Sequence, residues 1–289
     1  METIKLSILD TLSQHGESPS VRLTSSIAQA QLADRLGFER YWLTEHHTWC
    51  GDSSPEILLP LMAATTHRIR IGTAGVLMNF YRPYKVARTF QLLENLFSGR
   101  IDLGICRGGL SNEVGQELRD TTNGAPTMDE FAARAESLFN HLAQGTRDGS
   151  GNGAPQAWLL GSGSASMRLA TKLGSSYCHS LTHMGCDRDP GILAAFHNAL
   201  PVNDIRQSAV LVSGICAPSA RQAEELLSLH YNPSLEANVV GTPGACADQI
   251  YSIAHQYQVE RIVWLDLSAT RVELQRSITL LADAMALNH

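Results

Sequence analysis

The sequence has no stretch that approaches the roughly 18 consecutive apolar residues of a membrane-spanning helix. Its N-terminus, METIKLSILD, lacks the basic-then-apolar layout of a signal peptide and instead predicts a β-strand. Together these absences favour a cytoplasmic protein. Positive charge is scarce as well, because 22 Lys and Arg residues stand against 28 Asp and Glu residues. The resulting net charge of −6 makes nucleic acid and anionic membranes unexpected partners.

The six cysteines form no CxxC pair and show no regular spacing; they lie at positions 50, 106, 178, 186, 216 and 246. In a chain of 289 residues this pattern predicts reduced thiols rather than a disulfide framework. The sequence also has no HExxH motif or other spacing typical of metal ligands. We therefore expect no metal site.

No linker rich in Pro, Gly or Ser divides the chain, and the polar segment 145–155 is predicted to be a surface loop. Short β-like runs instead alternate with amphipathic helical segments from end to end. Roughly eight such units predict a single (β/α)8 barrel domain over residues 1–289, because repeated right-handed crossovers close on themselves. An open doubly wound sheet is the competing arrangement.

The run YWLTEHH ends an apolar strand with Glu45, His46 and His47. Because active sites of (β/α)8 barrels lie at the C-terminal ends of the strands, these residues are expected at the barrel mouth. Adjacent residues on an extended chain point to opposite faces, which argues against one metal ion shared by both histidines. One histidine acting as a general acid or base, held by the carboxylate, is the functional interpretation. A structural hydrogen bond is the alternative.

Three further predicted strands end in residues suited to ligand binding. The small residues at 72–75 could let a flat ligand lie against the backbone, or they could mark a tight turn. Arg107 could bind a phosphate or form a rim salt bridge, and Cys106 beside it is expected to be an inert buried thiol. The Gly/Ser turn at 161–166 opens a helix and suits a phosphate, with capping by serine as the alternative.

The chain resembles the bacterial luciferase-like, flavin-dependent monooxygenase family in YWLTEHH, SSPEILLPLMAATTHRIRIGTAG, KVARTFQLLENLFSGRIDLGICRGG and, more weakly, WLLGSGSASMRLATKLG. The resemblance implies a luciferase-like (β/α)8 barrel that binds reduced FMN at its C-terminal mouth. It implies a monooxygenase in which O2 adds at the flavin C4a and the peroxide oxidises a small organic substrate. Because no second nucleotide-binding domain is visible, a separate flavin reductase is expected to supply FMNH2.

By position, the resemblance also implies roles for individual residues. His46 would serve the flavin-peroxide chemistry as the catalytic histidine, and Glu45 would brace the flavin site. Ala74 and Gly75 match a small pair that is often joined by a cis peptide bond under the flavin ring. Arg107 would bind the phosphate. The other members of the phosphate cradle would be Ser162, Gly163 and Ser166.

Two departures from the family limit what the resemblance implies. Arg82 stands where the family often has a histidine before a proline. The segment before GTPGAC is too short for the long lid of the light-emitting subunit, which argues against bioluminescence and a long-chain aldehyde. An F420-dependent oxidoreductase of the same superfamily and a non-catalytic flavin-binding subunit are the alternatives. Segments 108–126 and 178–190, the latter with His179 and His183, are expected to line the substrate pocket.

The second predicted helix, within SSPEILLPLMAATT, begins with Ser54 as N-cap and Pro55 at the first helical position. It is apolar nearly all round, so one face should pack on the barrel and another on a partner. We expect a homodimer, or a heterodimer with a related chain, through this helix. Burial beneath a loop is the alternative.

Overall fold

The computed structural model describes residues 4–12, 17–47, 54–108, 113–119, 127–147, 153–201, 204–230, 232 and 234–287. In these ranges the strands are β1 (Lys5–Asp10), β2 (Arg40–Leu43), β3 (Arg70–Leu77), β4 (Ile101–Cys106), β5 (Gln156–Gly161), β6 (Ser176–Ser180), β7 (Ser208–Cys216), β8 (Val239–Gly241) and β9 (Arg261–Asp266). The α-helices are α1 (Pro19–Leu36), α2 (Leu59–Ala64), α3 (Pro83–Leu96), α4 (Glu113–Arg119), α5 (Met128–Arg147), α6 (Ser164–Leu173), α7 (Gly191–Asn198), α8 (Ala220–Leu229), α9 (Pro243–Tyr257) and α10 (Arg271–Ala284).

Eight of these strands form a closed parallel barrel in the order β1-β2-β3-β4-β5-β6-β7-β9, and β9 pairs with β1. The predicted (β/α)8 barrel is therefore confirmed, and the open doubly wound sheet was the wrong alternative. The short strand β8 pairs only with the last residues of β7 and lies outside the ring. The eighth strand of the barrel is therefore β9.

The second helix differs from the prediction. A 3-10 turn over Pro55–Ile57 comes first, and α2 begins only at Leu59. Pro60, which has no backbone N–H to donate, lies in the first turn of this new helix, where that loss is tolerated. Ser54 precedes the 3-10 turn with a φ of 66° and makes no side-chain cap hydrogen bond. None of the helices in the described ranges has the length and apolar character that a membrane crossing requires.

The N-terminal end of the barrel is filled by buried side chains. Trp42 and Trp158 meet edge to face inside the ring, with centroids 5.1 Å apart. Below them, Asp102 accepts hydrogen bonds from Trp42 Nε1 at 2.9 Å and Arg70 Nε at 2.7 Å, and it lies 3.1 Å from Arg40 Nε. These paired charged groups and the two tryptophans fill the N-terminal end of the barrel. A ligand therefore has to bind at the opposite, C-terminal end.

Strands β3 and β4 approach each other closely at Gly104, where a Cβ atom would lie 2.0 Å from the Thr73 carbonyl oxygen. Gly104→Ala should therefore lower the free energy of unfolding by about 3 kcal/mol, because two paired backbones cannot move apart without losing hydrogen bonds. Urea unfolding measures this loss. The matched control is Gly244→Ala in the first turn of α9, where an added Cβ meets no atom within 4 Å. Equal losses in both variants would contradict the explanation.

Candidate active site

The predicted site residues follow four strands that are consecutive neighbours in the barrel, β2 to β5. Their C-terminal ends therefore lie side by side on one arc of the rim. In the β4–β5 pair, Ile105 lies opposite Leu159. Two residues beyond this pair on each strand, Arg107 and Gly161 therefore lie at the same height along the barrel axis. The residues expected to bind a phosphate are thus brought together.

After the end of β2, successive side chains continue to point alternately into the barrel and away from it. Trp42 lies in the cluster that fills the barrel, so Thr44 and His46 belong to the same inward face. Glu45 and His47 belong to the other face, and both are buried, whereas His46 is exposed. The Thr44 hydroxyl lies 2.9 Å from His46 Nδ1. This contact fixes the ring and leaves Nε2 without a hydrogen bond to any residue that the structure describes.

Several groups around His46 change its pKa. Although solvent reaches the ring, protein surrounds much of it, and this desolvation holds its pKa below the ordinary 6.5. The negative charge of Glu45 opposes the shift, while the charges of His183 and His47 add to it. The imidazole is therefore neutral at pH 7 and able to accept a proton.

The Glu45 carboxylate holds His47 rather than His46, in contrast to the expectation that it would hold the catalytic histidine. His47 Nε2 contacts Glu45 Oε1, because residues two apart on an extended chain share a face. Glu45 also accepts hydrogen bonds from the Leu77 N–H at 2.9 Å and the Tyr81 hydroxyl at 2.5 Å. Burial and this carboxylate raise the pKa of Tyr81, which therefore keeps its proton and donates. Glu45 thus ties the end of β2 to the end of β3.

The peptide bond between Ala74 and Gly75 is cis, as the resemblance implies. Ala74 packs in the cluster that fills the barrel. A Cβ atom on Gly75 would lie 2.8 Å from the Ile105 carbonyl carbon, so the close approach of β4 requires glycine here. At this position the need for a small residue comes from strand packing.

Arg107 is exposed just beyond β4, and its carbonyl accepts a hydrogen bond from Asn79 Nδ2 at 3.1 Å. Within the described ranges its guanidinium forms no ion pair, so the rim salt bridge considered for it is not found there. The neighbouring Cys106 thiol donates to the Gly75 carbonyl at 3.5 Å. Burial, together with the charge of Glu45, raises the pKa of Cys106 to about 12. An un-ionised thiol is not a nucleophile, as expected.

The turn before α6 presents free donors. Gly163 is the N-cap and no side chain caps the helix, so capping by serine, the alternative explanation of the turn, is wrong. Ser162 is exposed, whereas Ser166 uses its hydroxyl hydrogen internally, donating to the Gly163 carbonyl at 2.7 Å. A Cβ on Gly161 would lie 2.1 Å from Ser166 Oγ, so this glycine makes room for that contact. The first N–H groups of α6 are left for an anion.

A series of hydrogen bonds that starts from two side chains of β6 supports this turn. His179 Nε2 donates to the Asp187 carbonyl at 2.7 Å, so Nδ1 is the acceptor for the Tyr177 hydroxyl at 3.1 Å. The Asp187 N–H in turn donates to the Ser162 carbonyl at 3.0 Å. His179 is completely buried with both ring nitrogens engaged, so the expectation that it lines the substrate pocket is wrong for this residue.

His183, the other histidine of this segment, is exposed. In the other segment expected to line the pocket, 108–126, residues 109–112 and 120–126 lie outside the described residues. Sequence reasoning missed Tyr177 as a support of the turn, although its spacing of two from His179 on a strand could have indicated it. The parts of the chain that the structure describes contain no group of three His, Cys, Asp or Glu side chains suited to hold a metal ion.

Comparison with known proteins identifies the family of these elements. The family model of luciferase-like monooxygenases matches residues 4–185. N-acetyl-S-alkylcysteine monooxygenase of Bacillus subtilis is 29% identical over 98% of this chain and 98% of its own. The crystal structure of apo-MsnO8 superposes with a TM-score of 0.87 at 29% identity and covers 98% of this chain and 99% of that one.

More distant structures share the fold. The oxygenating constituent of 3,6-diketocamphane monooxygenase from Pseudomonas putida, solved in complex with FMN, has a TM-score of 0.77 at 16% identity and covers 98% of each chain. An F420-dependent secondary alcohol dehydrogenase has a TM-score of 0.69 at 14% identity and covers 99% of each chain. The fold thus has both flavin-dependent and F420-dependent neighbours, so cofactor choice rests on the residues of the mouth.

Proposed function

Because the chain belongs to the luciferase-like monooxygenase family, we propose that it is an FMNH2-dependent monooxygenase that uses O2 to oxidise a small organic substrate. The observation that carries this proposal is the position of two features at the same height on the rim: the Arg107 guanidinium, which forms no ion pair with any described residue, and the start of α6, which has no side-chain cap. A guanidinium and free N–H groups together favour a phosphate. His46 lies on the inward face of the same arc.

Bound FMN would supply the oxidising chemistry, and the chain's own residues fit this group. Arg107 and the turn with Ser162 and Gly163 would hold the phosphate, while Ser166 keeps the turn in shape through its bond to Gly163. The apolar cluster that includes Ala74 would exclude water beneath the flavin ring. Nothing in this arrangement requires a metal.

The residues around His46 orient it for proton transfer. The Thr44 hydroxyl fixes Nδ1, so Nε2 is the atom that would accept or return a proton. The bonds of Glu45 to Leu77 and Tyr81 keep the strand ends that carry His46 and Ala74 in register. Glu45 would act by holding this frame rather than by transferring a proton.

One experiment tests the function and separates it from the F420 alternative. The purified chain would be titrated with FMN and with F420 in a calorimeter. It would then be supplied with FMNH2 by a separate flavin reductase, in the presence of candidate thioethers, amines and ketones. We expect FMN to bind more tightly than F420, and one O2 to be consumed for each product formed. Preference for F420 without O2 uptake, or FMN binding without any product, would favour the alternatives.

Exposed apolar side chains support the proposed homodimer. Ile57 is 67% and Leu61 52% exposed on the second helical segment, and the outer face of the neighbouring α3 exposes Tyr84, Leu92 and Leu96. The three α3 side chains lie four or eight residues apart and so share one helix face, and an exposed apolar stripe of this kind is typical of an interaction surface. Leu61→Asp should convert a dimer into a monomer in sedimentation at micromolar concentration, because an unpaired charge would be buried in the interface.

The matched control is Leu229→Asp on α8, since Leu229 is 65% exposed on another helix. It should leave the sedimentation coefficient unchanged. A wild-type chain that sediments as a monomer at micromolar concentration would rule out the proposed dimer.

A further inference from the structure

Tyr177 and His179 lie on the outer face of β6, between the barrel and its helices. The Tyr177 ring packs against Phe196 of α7 with centroids 5.8 Å apart, and the His179 ring packs against Tyr257 of α9 with centroids 6.1 Å apart. Both β6 side chains are completely buried. Because residues two apart on a strand share a face, their polar groups meet, with Tyr177 Oη 3.1 Å from His179 Nδ1. Neither side chain is thus placed to touch a ligand in the barrel mouth.

The Tyr177 hydroxyl reaches the back of the Gly/Ser turn that precedes α6. Its oxygen lies 3.3 Å from the Gly161 carbonyl oxygen, 3.4 Å from the Gly163 carbonyl oxygen and 3.3 Å from Ser166 Oγ. The Gly163 carbonyl also accepts the Met167 N–H at 3.3 Å, so it points along α6 and away from the free N–H groups of the first turn. Tyr177 therefore contacts the turn from the side opposite to that on which an anion would bind.

The His179 ring restrains the turn at a second point. Its Nε2 donates to the Asp187 carbonyl at 2.7 Å, and the Asp187 N–H donates to the Ser162 carbonyl at 3.0 Å. Burial lowers the pKa of His179, so the ring is neutral at pH 7 and can accept from Tyr177 while it donates to Asp187. One buried imidazole thus joins two separate contacts with the turn, one through Tyr177 and one through Asp187.

The turn itself has little that fixes its conformation. Gly161 and Gly163 have no side chain, and no side chain caps the start of α6. A backbone N–H group bonds well to a phosphate only when its nitrogen lies about 3 Å from a phosphate oxygen, so a small displacement of the turn weakens several charge-assisted bonds at once. The contacts of Tyr177 and Asp187 with the turn therefore determine how well its N–H groups bind an anion.

We propose that Tyr177 and His179 are positioning residues that hold the turn in the conformation required by the cofactor phosphate, and so set the preference of the chain for FMN over riboflavin. The inference rests on the proposed function, because the phosphate belongs to the proposed cofactor. It extends the phosphate site from the groups that would touch the anion to two buried side chains behind them.

Tyr177→Phe removes one hydroxyl and keeps the ring that packs against Phe196. In calorimetry we expect FMN affinity to fall about tenfold and riboflavin affinity to stay within about twofold, because only the phosphate depends on the turn. Tyr257→Phe is the matched control, since Tyr257 is also buried and its hydroxyl donates to a backbone carbonyl, that of Arg188, at 2.7 Å. It should lower the free energy of unfolding about as much and leave the ratio of FMN to riboflavin affinity unchanged.

His179→Phe tests the shared role of the imidazole. It removes the bonds to Tyr177 and to Asp187 together, so the ratio of FMN to riboflavin affinity should fall further than in Tyr177→Phe. The double variant should lose less than the product of the two single losses, because the two side chains share one hydrogen bond. A role confined to the stability of the barrel would instead weaken both flavins alike.

Three outcomes separate this inference from the proposed function. Tyr177→Phe with the wild-type ratio of FMN to riboflavin affinity, or with equal losses for both flavins, would overturn the inference alone. A wild-type chain that binds FMN and riboflavin equally tightly would overturn the inference together with the proposed phosphate site. A wild-type chain that ignores FMN but binds inorganic phosphate, more tightly than Tyr177→Phe does, would refute the proposed function alone.

Discussion

His46→Ala is expected to reduce product formation with FMNH2 and O2 by at least about 100-fold, which is the usual contribution of a positioned acid or base. FMN affinity should stay within a few-fold, because the phosphate is expected on Arg107 and α6, and the apolar contacts beneath the ring do not involve His46. The side chain is exposed and bonded only to the Thr44 hydroxyl among the described residues, so its removal should not unfold the barrel. Product yield per O2 consumed is the most direct measurement.

Two further variants test whether the loss of activity in His46→Ala comes from the imidazole at this position. His255→Ala removes an exposed imidazole far along the chain and should keep full activity. His46→Gln retains a polar side chain but cannot transfer a proton near neutral pH, so it should be nearly as inactive as His46→Ala. Turnover of His46→Ala at the wild-type rate would remove this histidine from the chemistry and leave its position at the mouth without a catalytic role.

The barrel could be predicted because its signals are local. Helix α6 begins at the Gly/Ser turn, as predicted, and glycines mark both of its ends: Gly163 is the N-cap, and Gly174 has the φ of 69° that ends a helix readily. By contrast, β8 has only three residues, too few to show an alternating pattern. The second helix was predicted as continuous from Ser54 because its apolar character persists, whereas Pro60 decides where the α-helix restarts.

The candidate site shows the same limit. That His46 and His47 point to opposite sides followed from the geometry of an extended chain, and the structure has this arrangement. The partners of Glu45 could not be predicted, because the bond from Tyr81 joins residues 36 positions apart. The burial of His179 likewise depends on the loop that brings the Asp187 carbonyl to its ring. Local patterns therefore indicated which side chains could act, while tertiary contacts decided which remain accessible.

Arg107→Ala is expected to weaken FMN about 100-fold while riboflavin affinity stays within about twofold. FMN and riboflavin differ only in the phosphate. Loss of a charge-assisted, bidentate hydrogen bond to a phosphate corresponds to a decrease in affinity of about 100-fold. The guanidinium is exposed and forms no ion pair within the described ranges, so its removal leaves no buried charge behind. Calorimetric titration of the wild type and the variant with both flavins measures the selectivity.

Arg221→Ala provides the control for loss of one positive charge, because Arg221 is exposed on α8 and pairs only weakly with Glu225 one turn away. It should leave the affinities for FMN and riboflavin unchanged. Added salt should weaken FMN binding to the wild type more than to Arg107→Ala, since the variant has lost part of the attraction that salt screens. Equal losses for FMN and riboflavin in Arg107→Ala would place the phosphate elsewhere, and with it the flavin that His46 is expected to serve.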